Sequence, residues 1–115
     1  MGRVPSPFRA TVVRAIDGDS VVVRREANRR EEKVRVGGVD VPSRGHRAEA
    51  GKRHIAGWHG RNVTVRPTAS YRVHGDEIPA IVTDDHGGNL GMELLAHGKR
   101  LRQFPIEAPL LALRL

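Results

Sequence analysis

A small β-barrel carrying two helices, a five-stranded OB-fold of element order βββαββα in the α+β class, is the architecture this sequence predicts. Two observations predict it. Five short runs follow the period of a strand, and between the third and the fourth the apolar spacing switches to that of a helix. This order suits a Greek-key barrel that closes its own edges, whereas a parallel α/β sheet would need a helix between nearly every pair of strands. At 115 residues the chain is one domain with a modest core.

The first strand is expected over Phe8 to Ile16, a run rich in β-branched residues, and the second over Ser20 to Arg25, joined by a tight hairpin at Asp17-Gly18. The polar run Glu26 to Glu32 makes an exposed connection, and Lys33 to Val39 supplies the third strand of a meander. Between Gly45 and His59, Ala48, Gly51, Ile55 and Trp58 fall on one helical face. Asn62 to Pro67 and Ile78 to Thr83 read as strands four and five around a polar loop from Thr68 to Glu77. Asn89 caps a second helix through Leu90, Leu94 and Leu95, which Gly98 terminates. Residues 1–7 then form an extension, 8–104 the barrel, and 105–115 a Leu-rich tail.

Composition narrows the chemistry. The chain has no cysteine, which excludes a disulfide framework and a thiolate metal site. Twenty Lys and Arg against thirteen Asp and Glu leave a formal charge of +7, and arginine, which dominates, matches phosphate oxygens with a planar fork. A polyanionic partner is one reading, and a solvated Arg-rich surface is the other. No run reaches the ~20 apolar residues of a membrane span, and the start lacks the apolar core of a signal peptide, so an intracellular, cytoplasmic protein is expected.

Two segments carry the candidate site. Asp17-Gly18-Asp19-Ser20 and Val34-Arg35-Val36-Gly37-Gly38-Val39-Asp40-Val41-Pro42 each bring a carboxylate from a strand end, and the second adds an arginine. Together with Asn89-Leu90 through Glu93-Leu94-Leu95 and Gly98, in that order, they resemble the staphylococcal-nuclease family over about Ala10 to Phe104. The resemblance implies that Asp19, Asp40 and the carbonyl of Val41 hold Ca²⁺, that Asp17 supports the turn behind them, and that Arg35 clamps a phosphate. A hard cation that collects oxygens, beside a guanidinium, is a sensible arrangement for a phosphoryl group. The alternative is that Asp17 and Asp19 only shape a hairpin while Arg35 pairs with Asp40 or Asp19.

The family pattern breaks twice. Ser43 stands where the family has a carboxylate that helps activate water, and a hydroxyl is no base at neutral pH. His46 and Glu49 lie nearby as candidates to substitute for it, but Glu49, one turn into the first helix, is expected to pair with Arg53 instead. The family's second arginine, just before the fifth strand, falls here on Glu77 or Asp76, an acid that would repel phosphate. The expected function is therefore a nuclease-like domain that binds nucleic acid or another phosphate-bearing ligand, with weak or lost hydrolysis. An active Ca²⁺-dependent phosphodiesterase is one alternative. A protein-interaction module or homodimer using the Leu-rich tail is the other.

Arg72 and Tyr71, in the loop between strands four and five, are further nucleic-acid-binding candidates, Tyr71 as a stacking platform. Trp58, on the apolar helix face, is expected in the core. The six histidines show no zinc-ligand spacing and read as surface residues, with His54 or His59 near the end of the first helix.

Overall fold

The computed structural model describes residues 3–37 and 45–96, the side chains of His46 and Arg47 excepted. Asp40, Val41, Ser43, Gly98 and the Leu-rich tail lie outside the described residues. Five strands, β1 (Phe8–Asp17), β2 (Ser20–Arg25), β3 (Glu31–Val36), β4 (Asn62–Pro67) and β5 (Ile78–Asp84), close into a barrel of neighbour order β1-β2-β3-β5-β4. Helix α1 (His46–Ala56) is inserted after β3, and a second helix, α2, occupies residues 90–96. All pairings are antiparallel except β3 with β5, where Val34, Arg35 and Val36 lie against Ile78, Pro79 and Ala80. The fold is the predicted OB-fold.

Alternation explains why the barrel closes. In β4, Val63, Val65 and Pro67 are buried while Asn62 and Arg66 are exposed, the period of a strand with one wet face. Val21 and Val23 of β2, Val34 and Val36 of β3, and Ala80 and Val82 of β5 meet inside the same core. Burying each valine contributes about 1.5–3 kcal/mol relative to exposure. Pro79 removes a donor from β5 at little cost, because it is the second residue of the strand and pairing with β4 begins one residue later.

β1 is irregular. Val12 pairs with Val23 but Arg14 with Val22, and Ala15 pairs with Val21 but Asp17 with Ser20, so Val13 and Ile16 are extra residues at bulges. Bulges bend a strand and increase its twist, and here they curve β1 beneath α1. The helix lays Ala48, Gly51 and Ile55 on the barrel, and Trp58, expected on the same helical face, follows in the turn after the helix and is buried there. Both helices approach the sheet through glycine. A Cβ on Gly51 would stand 2.6 Å from the Gly18 carbonyl oxygen, and one on Gly91 would stand 2.6 Å from that of Gly37.

Some boundaries differ from the sequence expectation. β3 starts at Glu31 rather than Lys33, because Glu31 and Glu32 continue the ladder opposite Arg24 and Val23. α1 ends at Ala56, and the turn that follows runs through Gly57. In α2, Leu90 and Leu94 are buried but Leu95 is exposed, since i and i+4 share a face and i+5 does not. Among the described residues, no helix is long and apolar enough to cross a membrane.

Candidate functional site

The β1–β2 hairpin positions the first carboxylates. Asp17 and Ser20 form its last pair, leaving Gly18 and Asp19 in the turn, and Asp17 Oδ1 accepts the Asp19 N–H at 3.2 Å. That bond is the usual way an aspartate stabilises its own turn. The Asp19 carbonyl accepts the Val36 N–H at 2.8 Å, which ties the turn to the end of β3. Asp19 is thereby buried beside the strand that carries Arg35. Burial opposes ionisation of Asp17, but hydrogen bonds within the turn from Asp19 and Ser20, with the charge of Arg35, outweigh it and hold its carboxyl below the ordinary value.

Arg35 stands opposite Ser20 on β3, between Val34 and Val36, which point into the core, so its side chain leaves the barrel on the outer face. Its Nη2 lies 2.8 Å from Asp19 Oδ2 and its Nη1 3.6 Å from Glu77 Oε1. Glu77 is delivered by the loop before β5. Val73 and Glu77 exchange two backbone hydrogen bonds around a turn in which His74 and Gly75 have positive φ, a geometry glycine adopts freely. One guanidinium is thus held between two acids, its own side chain 26% exposed and those of Asp19 and Glu77 only 4% and 10%.

The hairpin bond and the Arg35–Asp19 ion pair are thus both present, with an added acid. Glu77 sits where the sequence placed an acid hostile to phosphate, but Arg35 faces and offsets it. The signal for this contact was the parallel register. Once Ile78 opposes Val34, residue 77 must begin beside β3 on the face away from the core. Glu77 Oε1 is buried and accepts no hydrogen bond among the described residues, a costly state for a carboxylate oxygen.

No protein-family model matches the chain, and no curated protein matches it. The residues themselves must carry any functional argument.

A Ca²⁺ ion can be tested against the oxygens present. Among the described residues, no three His, Cys, Asp or Glu side chains converge as cation ligands. Asp19 Oδ2 and Glu77 Oε1 are both taken up by the Arg35 guanidinium, while Asp40 and Val41 fall outside the described residues.

Tyr71 and Arg72 are not brought to Arg35. Arg72 donates to the Asp76 carbonyl at 2.8 Å and lies 3.6 Å from Glu32. Glu32 alternates with Arg35 on β3, so its side chain takes the opposite pleat. Tyr71 is exposed and shares a small hollow with Pro5, Phe8 and Arg25, at the end of β2 far from the hairpin. Glu49, one substitute for the missing carboxylate, stands on the exposed side of α1 and lines a cleft against β1 rather than the Arg35 site.

A second polar cluster escaped the sequence reading. Glu93 Oε1 lies 2.7 Å from His54 Nε2 and accepts the Trp58 indole N–H at 3.1 Å. This carboxylate joins α2 to the end of α1. Trp58 is a core residue, as expected, and Arg61 covers its ring from 4.3 Å.

Proposed function

We propose that this protein is a nuclease-like OB-fold module that binds nucleic acid or another phosphate-bearing ligand at Arg35, with hydrolysis weak or lost. One observation carries the reading: the exposed member of the cluster is the guanidinium, while both of its acids lie beneath it. An incoming phosphate oxygen meets Arg35 first, already oriented by Asp19 and Glu77. Preorganisation of that kind reduces the ordering cost of binding, and the planar fork suits two phosphate oxygens.

The acids set a condition on binding. Asp17, Asp19 and Glu77 outnumber Arg35, so a dianionic phosphate gains from a divalent cation that neutralises the excess. Asp19 and Asp40, with the Val41 carbonyl, are the groups that would hold it, and Ca²⁺ is the ion the nuclease resemblance implies. Such an ion would supply charge neutralisation beside the phosphoryl group. Ser43 provides no carboxylate base, and Glu77 replaces a second phosphate-binding arginine. A positioned base is worth about 10²- to 10⁴-fold and a preorganised donor about 10²- to 10³-fold. Turnover should be slight where both are missing.

Fluorescence anisotropy of labelled single- and double-stranded DNA and RNA, at low salt with calcium or with chelator, tests this reading. Binding that weakens with salt and on Arg35→Ala is expected, with little cleavage. Absence of binding at low salt, where the phosphate term is largest, overturns the reading. Cleavage that depends on calcium and on Asp19 would replace the binding module with an enzyme.

A further inference from the structure

Pairing of charges differs from one part of the described surface to another. Along β1 to β3, Arg9 is engaged by Asp85, Arg14 and Arg24 by Glu31, and Arg25 by Glu32. Lys52 and Arg53 of α1, like Arg3, Arg29, Arg30 and Arg66, are different, and they alone of these described residues line a cleft with apolar walls against the helix. Among the described residues, no acid oxygen lies within 4 Å of either side chain.

Those two cations overhang a cleft of about 440 Å³ between α1 and β1. The cleft exists because of two local features already described. Gly51 brings one side of the helix down onto the hairpin at Gly18, and the bulge at Val13 bends β1 along the other side. Val13, Ala15 and Ala56 supply an apolar lining of short side chains, and His59, Arg14 and Glu49 complete the rim. Glu49, Lys52, Arg53 and Ala56 follow one another at spacings of three, one and three, so they share a helix face.

We infer that this cleft is a binding site for a small organic anion, a compact apolar body bearing one carboxylate, sulfonate or phosphate group. The volume falls within the range of small-molecule sites, and apolar walls with a few placed charges are their usual composition. The apolar body rests on Val13, Ala15 and Ala56, and the acidic head pairs with Lys52 and Arg53, whose two charges exceed the single charge of Glu49 on the same helix face. A bare inorganic phosphate would leave the apolar lining unused. A polynucleotide would need further free cations along β1 and β2, where Arg14 and Arg24 are already held by Glu31. The site is independent of the Arg35 cluster and does not require the phosphate-binding reading.

The experiment titrates the full chain at neutral pH with the fluorescent anion anilinonaphthalene sulfonate, its uncharged analogue N-phenylnaphthylamine, and inorganic phosphate. Saturable binding of the sulfonate is expected, with amide NMR shifts at Val13, Ala15 and Ala56. The uncharged analogue and inorganic phosphate should bind about tenfold or more weakly, and a Lys52→Glu/Arg53→Glu variant should lose about the same factor. Ala56→Trp, which fills the cleft from an exposed helical position, should also abolish the signal, whereas Arg35→Ala should leave it intact. Equal binding of the uncharged analogue or of phosphate, indifference to the Lys52/Arg53 variant, or shifts centred elsewhere, such as at exposed Met92 and Leu95, would overturn the inference.

Discussion

Gly51 of α1 sits so close to Gly18 of the β1–β2 hairpin that a Cβ at position 51 would lie 2.6 Å from the Gly18 carbonyl oxygen and 3.1 Å from its Cα. The obstacle is backbone, which cannot rotate away as a side chain can. The same hairpin carries Asp17 and Asp19, so the seating of α1 and the geometry of the Arg35 cluster depend on one contact.

Gly51→Ala should therefore destabilise the fold despite the better helix propensity of alanine. Forcing one extra carbon into a close-packed contact costs about 1–3 kcal/mol, against a propensity gain of about 1 kcal/mol. A fall in the thermal midpoint of about 4–8 °C per net kcal/mol is expected for a domain of this size. A midpoint equal to or above the parent's would show that the helix can lift at no cost.

Arg35→Met should cost stability as well as ligand binding. Removing the guanidinium strands two carboxylates whose side chains are 4% and 10% exposed. Breaking a fully buried pair costs about 3–5 kcal/mol, and partial exposure of Arg35 reduces this to about 2 kcal/mol. Glu77→Gln should be milder, because the Asp19 contact survives. Urea midpoints of the two variants, compared at neutral pH, check the order.

Acid should unfold the protein partly through Asp17 and Asp84. Asp84 is held below the ordinary carboxylate range first by the Gly88 N–H, against burial, and further by the His86 N–H and Arg61. Its Oδ1 accepts those two N–H groups at 2.6 and 2.9 Å. Both carboxyls bind protons less tightly in the fold than in the unfolded chain. Their stabilisation is complete above about pH 5 and is lost as pH falls through the lower native values. Asp84→Asn should flatten the dependence of the urea midpoint on pH in that window; an unchanged slope would remove Asp84 from the account.

Glu93→Ala should loosen α2 from α1. It deletes the acceptor shared by His54 and the Trp58 indole, for an expected loss of about 1–2 kcal/mol. Trp58 is the only tryptophan of the chain, so its emission reports this site alone. A shifted emission maximum with faster amide exchange in α2 is expected, and identical emission would show that the indole bond does not organise the helix pair.

Much of the barrel was legible because local periodicity and topology agree. The strand alternation of β4, the Asp-Gly hairpin and the helical stripe of Ala48, Gly51, Ile55 and Trp58 depend on neighbours in sequence, and burial follows them directly. The bulges of β1 were not legible, because a one-residue register shift leaves no mark on composition. Leu95 looked like part of an apolar face, but the rotation of α2 on the core decides which leucine is covered.

The sequence by itself determined the OB-fold order and the elements bearing Asp17, Asp19 and Arg35, since these follow from hydrophobic period and turn chemistry. Only the tertiary structure decided what those residues touch. The parallel register of β3 with β5 made Glu77 a partner of Arg35, and packing of α2 on α1 joined Glu93 to His54 and Trp58. Both are contacts between residues far apart in the chain, and their geometry is set by how the barrel closes.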